Sequence, residues 1–193
     1  MPPGIVLLLL LLLSVPAPAD GEARLYTVIP GKSQVRFEAS FPLGDFSGAT
    51  EGVTGELRLD PANIPLGVAG SVSAAATKFR TGNDRRDSDL KTTLETDRYG
   101  EIRFSAEEVK SSFPSLAPGA DVTLRISGML RIRGVERATT WTGRARLEGG
   151  RIWVRGETDL RLTDFGITPP RKFFLAVGDA VRASFDLRLA PAE

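Results

Sequence analysis

The sequence predicts an all-β protein of antiparallel strands around one apolar interior, and three observations carry that prediction. Residues 122–132 alternate strictly, with Val122, Leu124, Ile126, Leu130 and Ile132 on one parity and Thr123, Arg125, Ser127 and Arg131 on the other. A period of two sets one face of a strand on apolar surface and the other in water. The same alternation recurs at Val35, Phe37, Ala39 and Phe41, and from Val181 through Ala183, Phe185 and Leu187 to Leu189. Short turn signals such as Pro30-Gly31, Arg133-Gly134 and Gly149-Gly150 separate these runs, and connections that short join antiparallel neighbours.

Taken in order, strands are expected at about 26–29, 33–41, 52–60, 67–76, 101–110, 121–133, 136–147, 151–163 and 181–189. Two stretches depart from the pattern. Between Thr81 and Leu94, Asn83 is placed to cap a short helix whose Leu90 and Leu94 share one side, which predicts a small helical lid. Residues 164–179 form a long loop that carries Phe165, Ile167, Phe173, Phe174 and Leu175, too apolar a set to lie in water uncovered. Strands with one apolar parity suit a barrel or a sandwich. Interspersed small residues on the inward parity, Ala39, Gly55, Gly70, Ala74, Ala76, Ala106, Gly128, Gly143, Ala145 and Ala183, favour a barrel with open space inside, although strand glycines also mark bulges and bends.

Composition removes several functions. The 193 residues include no Cys and no His, so thiol chemistry, imidazole bases and the common metal ligands are lacking. No catalytic residue and no metal site is assigned: acidic pairs such as Asp87 with Asp89, or Asp164, are too ordinary in polar loops to count as a cation site. With 25 basic against 24 acidic residues there is no electrostatic footprint for nucleic acid. An apolar run at 5–13 followed by Ala17-Pro18-Ala19 reads as a secretory signal cleaved after Ala19, leaving 20–193 as one domain. The run is too short to span a bilayer, and no Cys follows it to take a lipid.

The order of motifs resembles the YceI-like family, secreted or periplasmic proteins with a lipocalin-like barrel associated with polyisoprenoid binding. Tyr26 to Phe37 is similar to the family's opening D-P-x-x-S-x-V-x-F, with Pro30, Ser33, Val35 and Phe37 in register. Gly55 to Pro61 is similar to G-x-I-x-x-D-P, and Thr81-Gly82-Asn83 with Arg86-Asp87-Ser88-Asp89-Leu90 resembles T-G-x then R-D-x-H-L. Tyr99, Ile102, Phe104 and Ser105, then Gly128 to Val135, then Asp164-Phe165-Gly166-Ile167 continue the series. Asp89 and Arg133 stand where the family motifs carry His. The resemblance implies an antiparallel eight-stranded lipocalin-like β-barrel with a short helical lid, and a lipid in its lumen.

On that reading Val35, Phe37, Phe41, Leu57, Phe104, Leu124, Ile126, Leu130, Trp141 and Phe185 line the lumen. Phe79, Arg86, Leu90, Phe165, Phe173 and Phe174 surround its mouth, and each of the apolar side chains taken singly reads as ordinary core. Association costs roughly 4 to 15 kcal/mol and a buried methylene returns about 0.8, so a guest without a strong polar anchor needs roughly 20 carbons. A prenyl chain or isoprenoid quinone meets that length, with no other cofactor expected. The charged lid residues Asp84, Arg85, Arg86, Asp87, Asp89 and Lys91 are either a solvated face with local ion pairs or a reader of the head group. The alternative is a fully packed barrel that acts through its outer surface in the envelope or in stress, docking a membrane redox or envelope protein, as monomer or homodimer.

Overall fold

The computed structural model describes residues 23–172 and 175–192. The expected signal segment, Phe173 and Phe174 lie outside the described residues. The strands are β1 (Arg24–Val28), β2 (Gln34–Ala39), β3 (Phe46–Thr50), β4 (Val53–Leu59), β5 (Ala69–Ala75), β6 (Glu101–Ser111), β7 (Val122–Ile132), β8 (Val135–Glu148), β9 (Arg151–Arg161), β10 (Arg171–Lys172), β11 (Leu175–Ala176) and β12 (Ala180–Pro191). One helix, α1 (Asp84–Leu94), joins them.

Strand order in the main sheet is β1-β4-β5-β6-β7-β8-β9-β12-β2-β3, every pair antiparallel, and β12 pairs β1 as well. β1 and β2 are two halves of one path along β12, interrupted at Pro30, and β3 and β4 are likewise two halves along that path. Counted that way, eight strands close on themselves. Closure leaves no long unpaired edge, the feature that makes open sheets prone to association.

Most of the expected strands lie within a few residues of their places. β3 is an addition: F-S-G-A-T has small residues and little alternation, so its strand character comes from pairing with β2, Phe37 opposite Gly48, and not from its own pattern. The β10–β11 hairpin, Arg171 opposite Ala176, is a second addition inside the apolar loop. In β6 the register shifts between Ala106 and Glu108, so a bulge there moves Val109 to the inward face occupied by Ile102, Phe104 and Ala106.

The helix begins as expected: the Asn83 side chain accepts a hydrogen bond from the Arg86 backbone N–H at 3.0 Å. It ends at Glu95, a left-handed residue whose N–H returns to Lys91 and Thr92 carbonyls. Its Leu90 and Leu94 turn toward the barrel interior.

Two apolar clusters occupy the barrel. The larger, at the closed end, includes Tyr26, Leu59, Val122, Ile152 and Leu189 and is plugged by Ile64 and Leu116 from two loops. Those loops are tied to each other, Ile64 N–H to the Pro114 carbonyl and Leu116 N–H to the Pro61 carbonyl, both at 2.8 Å. The smaller, at the lid end, holds Leu130, Trp141, Phe165, Ile167 and Ala183.

The inward small residues divide into two kinds. Ala39, Ala74, Ala106, Ala145 and Ala183 line open space. Gly128 and Gly143 do not: a Cβ on Gly128 would collide with the Ser105 carbonyl and one on Gly143 with the Arg155 carbonyl. These glycines therefore let neighbouring strands approach closely, and the expectation that they leave room is corrected.

Candidate ligand cavity

The inward faces enclose a cavity of about 810 Å³ that runs from the Ile64–Leu116 plug to the lid. Its size falls within the range of small-molecule sites. Val35, Phe37, Leu57, Phe104, Leu124, Ile126, Leu130, Trp141 and Phe185 stand on its wall. Phe41 also borders it, but from the rim: β2 ends at Ala39, and Phe41 enters a turn in which its N–H meets the Asp45 carboxylate at 3.3 Å.

Of the residues expected at the mouth, Phe79, Arg86, Leu90 and Phe165 all border the cavity. Phe79 and Phe165 are buried, 4% and 3% exposed, so they are wall and not flap. Phe165 reaches inward because the single 3₁₀ turn Leu162–Phe165 is closed by Gly166 in the left-handed conformation, which folds the loop back over the barrel end.

Aromatic rings form the interior relief. Trp141 sits between Phe104 and Phe185, ring centroids 5.9 and 5.4 Å away, and its indole N–H reaches Thr139 Oγ1 at 3.3 Å. Nearer the mouth, Phe37 contacts Phe46 and Phe79 at 6.2 and 5.8 Å.

The lid is fastened at both ends. Asp87, 7% exposed, accepts from the Thr81 backbone N–H at 2.7 Å and from its hydroxyl at 2.6 Å, with Arg80 at 3.9 Å. Those Thr81 hydrogen bonds hold the Asp87 carboxyl below its ordinary value, against the effect of burial. At the other end Arg133, in the β7–β8 turn, ion-pairs with Glu95 at the helix terminus and donates to the Gly166 carbonyl at 3.1 Å. One guanidinium thus joins barrel, lid and covering loop.

Few charged groups border the cavity. Arg36, Arg85, Arg86, Arg161 and Arg171 touch the cavity, and Asp89 is the one carboxylate among the described lining residues. Arg86 donates to the Thr81 carbonyl at 3.2 Å and lies 4.9 Å from the Phe46 ring centroid, while its buried Nε has no partner among the described residues. Arg161 and Arg171 carried no local signal in the sequence, because only barrel closure brings the end of β9 and the start of β10 to the lid. The plug residues Ile64 and Leu116 were missed for the same reason. Among the described residues no group of three or more His, Cys, Asp or Glu is positioned to hold a metal ion.

The model for the YceI-like domain matches residues 26–189. The chain belongs to the YceI-like family. Solved structures agree on the fold. BcnA of Burkholderia cenocepacia superposes with a TM-score of 0.69 at 16% identity, over 83% of this chain and 98% of its own. A polyisoprenoid-binding domain from Saccharophagus degradans, implicated in plant cell wall breakdown, gives 0.69 at 17% identity, over 86% and 98%. The YceI protein of Campylobacter jejuni gives 0.59 at 15%, over 76% and 84%. No curated protein matches the sequence. Within this YceI-like barrel, Arg133 performs a fastening role at a position where the family motif carries His, and Asp89 sits on the cavity rim.

Proposed function

We propose that this protein is an exported or periplasmic carrier that holds one long apolar chain, of the isoprenoid or isoprenoid-quinone class, in its lumen. The observation that carries the reading is the apolar cavity of about 810 Å³. That volume lies toward the upper end of small-molecule sites, and a chain of roughly 20 carbons is what an unanchored guest needs to offset the cost of association. The Saccharophagus degradans domain, which shares this fold, is a polyisoprenoid-binding domain. A barrel packed solid, acting only through its outer face, does not account for an interior of this size.

The test is to purify the protein without detergent, extract it with organic solvent and analyse the extract by mass spectrometry. A single prenyl lipid at about one per chain is the expected result. An empty extract, together with failure to take up added prenyl alcohol or quinone, overturns the proposal.

A further inference from the structure

The lining of the cavity is asymmetric in charge in a way that apolar capacity does not explain. Arg85 and Arg86 come from α1, Arg161 from the end of β9 and Arg171 from β10, so three separate elements deliver cations to one mouth. Against them stands Asp89 alone among the described lining residues. None of the four arginines forms an ion pair among the described residues, which is true of most arginines on this barrel; what these four share is one mouth. Asp179, the acidic residue beside Arg161, directs its carboxylate to the Thr163 N–H and hydroxyl at 2.9 and 2.8 Å.

Guanidinium groups recognise oxyanions through forked, charge-assisted hydrogen bonds, and a mouth of several such groups next to an apolar tunnel is matched by one class of ligand. We infer that Arg85, Arg86, Arg161 and Arg171 form a head-group site for an anionic oxyanion, phosphate or carboxylate, borne by the lipid whose chain occupies the lumen. This rests on the carrier reading and narrows it: the cargo is an acidic amphiphile, and its neutral alcohol is the weaker ligand. Such a lipid enters tail first and leaves its charge at the rim, where the arginines keep access to solvent.

The experiment compares geranylgeranyl monophosphate with geranylgeraniol, equal in chain and different in charge, by the change in tryptophan emission of the Trp153→Phe protein, in which Trp141 on the cavity wall is the remaining tryptophan. The phosphate is expected to bind about tenfold or more tightly, with the preference shrinking as salt is raised. In the double variant Arg85→Gln/Arg171→Gln the preference falls to within about twofold. Arg125→Gln/Arg131→Gln removes the same charge from the exposed outer face of β7 and keeps the preference. Equal affinity for the two lipids, or a preference that survives the first double variant, overturns the head-group site while leaving the carrier intact. If neither lipid binds, the carrier reading fails and the head-group site with it. Displacement of the lipid phosphate by an equal concentration of inorganic phosphate identifies a free-anion site and overturns the lipid assignment.

Discussion

Ser33 shows how one hydroxyl closes a gap that the chain itself creates. Pro30-Gly31 interrupts the path from β1 to β2, so the ladder against β12 loses its regular partners there. Ser33, 2% exposed, accepts from the Arg188 N–H at 3.0 Å and lies 3.4 Å from the carbonyls of Ile29 and Arg188, either of which can take its proton. Ser33→Ala leaves the Arg188 N–H buried without that partner and should lower stability by about 1–3 kcal/mol in urea denaturation. A change below about 0.5 kcal/mol would show that the kink is held by other means. Serine at this position was visible in the opening motif; its task was not, because Arg188 lies 155 residues away.

At the scale of elements, the lid is a short helix whose own sequence supplies little stability, so its fastenings decide its position. Asp87 holds the N-terminal end, and Arg133 with Glu95 holds the C-terminal end. The folded-state pKa of Asp87 is depressed below its ordinary 3.8, so its contribution is complete above that value and is lost as pH falls through the depressed one. The stability difference between the wild type and Asp87→Asn should therefore narrow as pH is taken from about 5 to about 2. A difference that stays constant across that interval removes Asp87 as the acid-sensitive fastening. The helix and its cap were legible because Asn83 and the Leu90–Leu94 spacing are local. Strand β3 was not, since pairing with β2 and the Ala49–Arg80 bridge make it a strand.

Across the whole molecule, closure converts nine local alternation patterns into one inside. Ile126 packs against both clusters and stands on the cavity wall. Ile126→Trp should fill the lumen there and abolish lipid copurification while the far-ultraviolet dichroism of the barrel persists. Lipid retained at the wild-type ratio would mean that the chain runs elsewhere. Overpacking of this kind destabilises by roughly 1–3 kcal/mol in a tight core, and less where space already exists.

What the sequence determined by itself was the all-β class, the inward parity of nearly every strand, the hairpin turns, the lid helix and the apolar character of the lumen. All of these depend on neighbours within a few residues, and a period of two or a cap is a local property. Tertiary structure alone decided which small residues open space and which admit a neighbouring backbone. It also decided where the plug closes the barrel and which arginines meet at the mouth. Ala145 and Gly143 look alike on paper, both small and both inward, yet one lines the cavity and the other is pressed against the Arg155 carbonyl. That difference is set by the coiling of the closed sheet, which brings together residues far apart along the chain and leaves no trace in the pattern of any single strand.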